Sequence, residues 1–501
     1  MTSRRFLSLL LLVPLALVLL VPLFLRCYHR AALERYKAAL RSAGHLKTLA
    51  EVRPRPRTDV VNGGAALTNL MPRLPSLPSA MQPGMARGLP AGTRRVNWAQ
   101  PELPSEEQMN LWPDLRVFLS ANAAEIHAVR SALQAPMLEF AVRYEDGFRA
   151  LLPHFTKVKV IVQLLNADAQ LQLHDGQPEL GLADTIAGVH LAARWNREPI
   201  SLTQFMRIAI AKIMVNQTWE VLQFHGWSDT DLATLQQAWS ELNLPASVDA
   251  TLDFQGAQMV DLLEHLSRKE WAGFSSAMRG SGGAGADNFI GILELCGRDP
   301  KEGLNAAWDR YPRWWAFRIW RQYQIEKVAL QRIETVRAAL RAAVAQGIWL
   351  VPSREAKTNV TRPTGPITRV TDFINSGSGL SYTNVAATYA GVEAQRSLVL
   401  AAIALEGYQL KHGLYPGSLK TLVPEFLAAL PRDPMDGQPL RYRRNDDGTF
   451  TLYSVGWNGQ DDGGDPTPVG TSSNWENGKD IVWPKPASQV EADAYHDSTI
   501  K

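Results

Sequence analysis

A glycine-rich loop near the end of the chain carries the clearest set of oxygen ligands for a metal ion. Asn458, Asp461, Asp462 and Asp465 follow one another closely in this loop, and Asp480 comes a short distance later. Carboxylate and carbonyl oxygens in such a loop suit a hard cation, and calcium accepts about 6–8 of them in flexible geometry. The alternative is a solvated turn, because glycine and aspartate are common wherever a chain bends. The residue types leave both interpretations open.

The other residues that could do chemistry form no catalytic pattern. The histidines are scattered singly, and no His-Glu-x-x-His pair is present to bind zinc on one helix face. The glycine-rich stretch at residues 280–287 lacks the Lys-Ser/Thr pair of a phosphate-binding loop. A net charge of +3 over 501 residues, without a clustered basic face, argues against nucleic acid. We therefore predict no catalytic activity and no nucleic-acid partner.

Large aromatic side chains concentrate before a long helix in the middle of the chain. The tryptophans of this stretch are Trp308, Trp314, Trp315 and Trp320. Because aromatic side chains bury large areas, the simplest interpretation is that they hold a helical core together. The alternative is a binding surface, such as a peptide groove or a membrane-interface belt, which these tryptophans would line.

An uninterrupted apolar run of 20 residues, 6–25, predicts a membrane anchor. At about 1.5 Å per residue, a helix of this length matches a hydrocarbon core of about 30 Å. A cleaved signal peptide is the alternative, but Arg26 ends the run and no small-residue cleavage site follows. We predict an uncleaved transmembrane anchor with its flanks over residues 1–30 and a juxtamembrane helix over residues 31–50.

Proline content and helical periodicity divide the middle of the chain. Residues 51–110 are rich in proline and predict a linker, either an extended spacer or an ordered coil packed on the next domain. Residues 111–350 repeat apolar positions at helical spacing, which predicts an all-helical domain of hairpins, a bundle or an irregular solenoid. Residues 201–204 and 228–231 have the pattern of helix capping boxes. Residues 351–383 predict a second linker.

Residues 384–486 predict a small α+β module, and residues 487–501 a flexible tail. A long helix leads into Lys-His-Gly-Leu-Tyr-Pro at 411–416, and Leu-Pro-Arg-Asp-Pro follows at 430–434. Two stretches that alternate at period two then flank an Asp-Gly turn, which indicates a β-hairpin. The second strand runs into Leu-Tyr-Ser-Val-Gly-Trp-Asn-Gly at 452–459 and the acidic loop. In this order the module resembles the globular domain of the major pseudopilin of type II secretion systems.

The resemblance implies a cofactor and a class of partner. Major pseudopilins bind calcium in the corresponding loop, and the matching positions here are Asp461, Asp462 and Asp480, with Asp465 next. Secretion or pilus-like envelope proteins are the partners that it implies. The chain departs from the family because its start lacks the processing site and glutamate of a pilin leader, so we do not expect it to polymerise as a pilus subunit. An insertion at residues 466–477 also separates the acidic positions.

Two signals disagree about the side of the membrane on which the chain lies. Arg4 and Arg5 precede the span, whereas more basic residues, beginning with Arg26 and Arg30, follow it. Counted literally, the positive-inside rule places the bulk of the chain in the cytoplasm. The pseudopilin resemblance places it outside. We expect a single-pass protein of the bacterial inner membrane whose bulk is periplasmic.

Together these observations predict a mainly α protein. It would comprise an N-terminal transmembrane helix, a helical hairpin bundle or solenoid-like domain, and a small C-terminal α+β module that is pseudopilin-like. The function that follows is a membrane-anchored envelope scaffold or binding protein without evident catalytic activity. The alternative is a hydrolase of an envelope polymer whose active site lies in the helical domain.

Overall fold

The computed structural model describes residues 2–78, 91–102, 110–265, 322–349, 382–469 and 477–488, with a few isolated positions between them. The fold is mainly α-helical, which confirms the predicted class. Its helices are α1 (Thr2–Ser42), α2 (Leu49–Val52), α3 (Gly63–Leu70), α4 (Trp112–Ala121), α5 (Ala123–Leu133), α6 (His154–His174), α7 (Pro178–Arg194), α8 (Ser201–Leu222), α9 (Asp229–Glu241), α10 (Val248–His265), α11 (Gln322–Gln346) and α12 (Tyr382–His412). Its strands are β1 (Thr93–Arg94), β2 (Arg441–Arg444), β3 (Phe450–Ser454), β4 (Ile481–Val482) and β5 (Lys485–Pro486).

The first helix, α1, continues from the predicted anchor into the juxtamembrane segment without a break. Its second half packs against α11. There the Lys37 ammonium is buried and pairs with Glu326 of α11 and, at 2.8 Å, with Glu264 of α10. Most side chains of the predicted anchor lie outside the described residues. In the described part of the chain, no helix is long and apolar enough to cross a membrane.

Part of the proline-rich segment is packed on the helical region. Asn62 caps α3 by accepting a hydrogen bond from the backbone N–H of Gly64, and its side-chain amide donates to the Glu139 carbonyl oxygen at 3.0 Å. The apolar side chains that follow are buried, namely Leu67, Leu70, Met71, Leu74 and Leu77. Residues 62–77 are therefore an ordered, packed segment. The predicted linker at residues 351–383 and the tail at residues 487–501 lie mostly outside the described residues.

Helices α6, α7 and α8 form the centre of the helical region. Their connections are short, so consecutive helices are antiparallel, and α6 and α8 run in the same direction and contact each other. Arg130 of α5 secures this layer, because its guanidinium donates to Asp168 of α6 at 2.5 Å and pairs with Asp184 of α7. Helix α8 also contacts α10 and α12, so it is covered on nearly every side.

One of the two predicted capping boxes is present. Ser228 accepts from the backbone N–H of Asp231 at the start of α9, and the Asp231 carboxylate accepts in return, which confirms that prediction. The capping box predicted at Ser201 and Gln204 is wrong. Ser201 is already the first residue of α8, and the Gln204 side chain donates to the Glu198 carbonyl oxygen at 2.9 Å. The Gln204 amide oxygen, which a capping box would direct at a backbone N–H, instead accepts from Arg207 at 2.6 Å and from the Ser247 hydroxyl at 2.7 Å.

Helix α12 belongs to both the helical region and the C-terminal module. It packs against α8 and α9 and also against β3. Four of its apolar side chains are buried, namely Val392, Leu398, Ala402 and Leu405. The predicted hairpin is confirmed, because β2 pairs antiparallel with β3 and places Tyr442 opposite Leu452, while β4 adds to the other edge of β3.

A second, two-stranded sheet joins segments from opposite ends of the sequence. Strand β1 pairs in parallel with β5, and the Lys485 N–H donates to the Gly92 carbonyl oxygen at 2.9 Å. The indole N–H of Trp219 on α8 donates to the Pro484 carbonyl oxygen at 2.9 Å. We call residues 483–486 the clasp, because this segment closes the N-terminal strand onto α8.

A buried aspartate holds the C-terminal module together. Asp433, from the Leu-Pro-Arg-Asp-Pro motif, has no exposed surface. Its carboxylate accepts from the N–H groups of Met435 and Val455 and from the Ser454 hydroxyl at 2.8–2.9 Å, and from Arg441 at 3.3 Å. Burial raises the pKa of Asp433. The motif thus ties the turn before the hairpin to the end of β3.

Replacement of Asp433 by alanine should destabilise the module. Asp433→Ala leaves two backbone N–H groups and a hydroxyl without their acceptor, and each buried group of this kind costs about 1–3 kcal/mol. We expect a loss of about 3 kcal/mol in the free energy of unfolding, measured by urea denaturation. Asp446→Ala, at an exposed position of the hairpin turn, is the matched control and should change stability by less than about 0.5 kcal/mol. Equal effects of the two variants would contradict this role.

Candidate functional site

The predicted calcium residues lie around one loop, with Asp480 at its centre. The Asp480 side chain is fully buried. It accepts from the backbone N–H groups of Gly464 at 2.7 Å and Asp465 at 3.1 Å, and a longer contact of 3.4 Å joins it to the N–H of Asp462. Burial raises the pKa of Asp480. This carboxylate therefore closes the loop by accepting backbone donors.

The other three aspartates also bond to protein donors. Asp461 accepts from the Tyr453 hydroxyl at 2.9 Å and contacts Arg441 at 3.4 Å. Asp465 pairs with Lys479 at 2.8 Å, and that ammonium holds the pKa of Asp465 below its usual value. The remaining residue, Asp462, accepts from the Asn458 amide at 2.5 Å.

In this structure the four carboxylates of the loop bond to groups of the protein. A calcium ion requires several oxygens directed at one point, but these carboxylates are directed at different N–H and O–H groups. Within the described ranges, no group of three or more acidic, histidine or cysteine residues could hold a metal ion. The loop is instead stabilised by hydrogen bonds and by the Asp465–Lys479 ion pair. The four tryptophans proposed as a binding surface, Trp308, Trp314, Trp315 and Trp320, lie outside the described residues.

The structure forms a cleft that sequence reasoning did not find. It has a volume of about 410 Å³ and lies between α6 and α8, with the β1 region at one end. Four positions of α6 at helical spacing line one wall, namely Lys159, Gln163, Asn166 and Gln170. The facing wall on α8 consists of Met206, Ala209, Ile210, Ile213, Asn216, Gln217 and Glu220. Leu77, Val162, Arg94 and Asn97 complete the lining.

The cleft is amphipathic along its length. The earlier turns of α8 contribute an apolar wall, in which Ile213 is 40% exposed. The last turns contribute polar groups, which meet Gln170 of α6 and the Arg94 region of β1. A cavity of this size, with an apolar wall and a few convergent polar groups, has the usual character of a small-molecule site.

Two glutamines at the polar end are incompletely bonded. The Gln170 amide nitrogen donates to the Gln217 amide oxygen at 2.8 Å, and both side chains are at most 2% exposed. The Gln170 Oε1 and the Gln217 Nε2 have no hydrogen-bond partner among the described residues. Less than 1 Å² of either atom is exposed, so this acceptor and this donor lie behind the surface of the cleft.

Glu220 and Arg94 form a buried charged pair beside the glutamines. Glu220 accepts from the backbone N–H of Asn97 at 3.0 Å and from its side-chain amide at 2.9 Å, and Arg94 lies 3.9 Å away. The Arg94 guanidinium also bonds Asn216 and lies over the Trp219 ring, 5.0 Å from its centroid. Burial raises the pKa of Glu220 to about 7, although Arg94 opposes the shift.

The clasp positions this end of the cleft. Pairing of β1 with β5 fixes the backbone that carries Arg94, and the Trp219 indole under its guanidinium is held by the Pro484 carbonyl oxygen. Sequence reasoning missed the cleft because its polar residues are mostly uncharged amides, spread over segments that are distant in the chain. The available signal was the row of polar residues Gln163, Asn166 and Gln170 at helical spacing within a strongly apolar helix.

Comparison of the chain with protein-family models, curated proteins and solved structures finds no match.

The raised pKa of Glu220 predicts a pH dependence of stability. Between pH 4.5 and 7 the folded chain keeps a proton on Glu220 that the unfolded chain releases, so the free energy of unfolding falls as the pH rises through this window. From pH 5 to pH 8 we expect Glu220 to lower stability by an amount on the order of 2 kcal/mol. The variant Glu220→Gln should lack this contribution.

Urea denaturation of both proteins at pH 5 and pH 8 checks this expectation. The measured quantity is the difference in the free energy of unfolding between pH 5 and pH 8. This difference is used because the glutamine also changes the bonds to Asn97 at both pH values. Glu326 and Glu406, whose pKa burial also raises to about 7, titrate in both proteins and cancel in the comparison. An identical pH dependence in the two proteins would contradict the assignment.

Proposed function

We propose that this chain is a membrane-anchored binding protein of the bacterial envelope that accommodates a small ligand between α6 and α8. The proposal keeps the anchor at residues 1–30, places the bulk of the chain on the periplasmic side of the inner membrane, and assigns it no catalytic activity. The observation that carries it is the amphipathic cleft itself.

The lining of the cleft supports binding rather than turnover. Glu220 is the one carboxylate among the described lining residues, and no histidine, serine or cysteine is found with it there. Hydrolysis by general acid and base catalysis uses two groups in separate roles. The lining offers instead amide groups that fix orientation and an apolar wall that excludes water, which are the contributions of a binding site.

The continuity of α1 is evidence that the folded part of the chain is held close to the membrane. Because α1 is continuous, the packed half that ends at Ser42 is joined rigidly to the predicted span. Lys37 pairs with Glu264 and Glu326, and His45 contacts Glu334 at 2.6 Å, so the juxtamembrane segment is attached to α10 and α11. A tether of this kind restricts the distance and orientation of the cleft relative to the bilayer.

The resemblance of residues 384–486 to a major pseudopilin supports a docking role for the C-terminal module. We propose secretion or pilus-like envelope proteins as its partners. The resemblance alone supports calcium at Asp461, Asp462, Asp465 and Asp480, since their geometry does not.

Calorimetric titration of the full chain with calcium chloride tests the metal proposal. On the hydrogen bonding described above, we expect no saturable heat at millimolar calcium, because each aspartate already accepts protein donors. The variant Lys479→Met removes the ammonium that pairs with the Asp465 carboxylate. Calcium binding, if it occurs, should be easier to detect in this variant. Saturable binding that is lost in Asp480→Asn would instead establish the calcium site.

A hydrolase is the second candidate, and one observation favours it. A carboxyl group with a pKa of about 7, as burial gives Glu220, can exchange a proton at neutral pH. Besides Arg94, the other titratable side chain in the described lining is Lys159. The variant Glu220→Gln separates the two functions, because an enzyme would lose turnover while retaining its substrate.

Filling the cleft should remove its ligand. We expect a small molecule to remain bound to the full chain purified from membranes and to be detected by native mass spectrometry. Ile213→Trp places an indole on the exposed part of the apolar wall and should abolish that mass increment. Val117→Trp, at a residue of α4 that is 71% exposed and outside the cleft lining, is the matched control. Retention of the increment by both variants would reject the cleft as the binding site.

A further inference from the structure

The two long walls of the cleft place polar residues of α6 opposite apolar residues of α8. These helices run in the same direction, and the hydrogen bond between the two glutamines aligns positions that are 47 apart in the chain. The same offset places Lys159 level with Met206 and Asn166 level with Ile213, and all four line the cleft. A ligand that fills this part of the cleft therefore meets polar groups on one side and apolar groups on the other.

Lys159 is the exposed cation of this lining. Its side chain is exposed, and within the described ranges its ammonium forms no hydrogen bond or ion pair. Gln163 is half-buried one turn further along α6, and its amide is likewise unbonded in the part of the chain that the structure describes. Residues at i and i+4 lie on one helix face, with their Cβ atoms about 5–6 Å apart. An ammonium and an amide N–H can therefore donate to the same anionic group.

The other two charged groups of the lining lie far from Lys159 and are already paired. Arg94 lies 3.9 Å from Glu220, and their side chains are 15% and 1% exposed. Glu220 follows Met206, which is level with Lys159, by 14 positions of α8, or roughly 21 Å of helix. This separation exceeds the Debye length of about 8 Å at physiological salt. Among the described lining residues, no carboxylate neutralises Lys159, so its end of the cleft is positive.

The wall opposite Lys159 suits an aliphatic chain. Met206 is half-buried, Ala209 is exposed and Ile213 is 40% exposed, and all three line the cleft. Their spacing of i, i+3 and i+7 places them on one face of α8, along roughly 10 Å of helix. Covering this face removes apolar area from water, which favours binding.

We infer that the cleft binds an aliphatic carboxylate, whose head group accepts from Lys159 and Gln163 and whose chain lies on Met206, Ala209 and Ile213. One free ammonium matches the single charge of a carboxylate, whereas a phosphate monoester carries a charge of about −1.5 to −2 at neutral pH. This inference rests on the proposed binding function and specifies the ligand class for the same cleft.

A series of probes with one tail and different head groups tests the inference. Octanoate, octylammonium, octyl phosphate and 1-octanol are titrated calorimetrically at pH 7.5 into the full chain in nanodiscs of zwitterionic lipid, with empty nanodiscs as the blank. We expect octanoate to bind at least tenfold more tightly than octylammonium, and more tightly than the other two probes. Acetate, which has the charge but not the tail, should bind more weakly than octanoate.

The variant Lys159→Met tests the cation, because methionine keeps the apolar stem and removes the charge. We expect octanoate to bind about fivefold more weakly, since an exposed ion pair contributes only modestly to affinity. Binding of 1-octanol should not change, and Lys159→Arg should retain octanoate. A tenfold rise in salt concentration should weaken octanoate binding to the original chain but not to Lys159→Met. Lys420→Met, at an exposed position outside the cleft lining, is the matched control.

The outcomes separate this inference from the proposed function. Unchanged octanoate binding in Lys159→Met would overturn the carboxylate assignment. Octylammonium or octyl phosphate binding as tightly as octanoate, and lost in Ile213→Trp, would overturn it while leaving the cleft as the binding site. If no probe binds but Ile213→Trp removes the molecule retained from membranes, the inference alone fails. If no probe binds and that molecule is unaltered, both the inference and the proposed function fail.

Discussion

The structure depends on one constraint, which is that the polar side chains of α8 must find their partners inside the protein. Helix α8 contacts helices on several sides, so little water can reach these groups. Each buried polar residue therefore recruits a distant segment. Near its start, Arg207 donates to the Ala192 carbonyl oxygen and the Ser247 hydroxyl. Near its end, Glu220 bonds Asn97 and Trp219 bonds the clasp. Among the described residues, the bonding on α8 is incomplete at Arg207 Nη2 and at Gln217 Nε2, and Gln217 borders the cleft.

The same constraint changes the interpretation of the C-terminal module. A module appended to a helical domain would be joined to it by a linker alone. Here α12 packs on α8 and α9, and the clasp pairs with a strand from the N-terminal part of the chain. The segment that follows the β2–β3 hairpin therefore helps to position Arg94 in the cleft. A partner bound to the module and a ligand in the cleft would act on connected parts of one structure.

Much of the local structure was predictable because it depends on nearby residues. The hairpin at β2 and β3 follows from alternation around an Asp-Gly turn, and the cap of α9 follows from Ser228 and Asp231 three positions apart. The prediction failed at Ser201, where the local pattern was present but the Gln204 amide oxygen accepts from Arg207 and Ser247 instead of from a backbone N–H. The acidic loop shows the same difference between a local sequence pattern and the bonding in the folded chain. Its composition suited calcium, but its carboxylates accept hydrogen bonds from groups that only the folded chain brings near them.

By itself, the sequence determined the mainly helical class, the order of the elements and the C-terminal hairpin. These features are encoded by spacing along the chain, namely the helical period, the strand alternation and the turn residues. Only the tertiary structure decided the site. Gln170 and Gln217 are 47 positions apart, and Asn97 and Glu220 are 123 apart. These side chains come together only when packing joins α6, α8 and β1, because burial, which is a property of the whole fold, determines which amides are bonded.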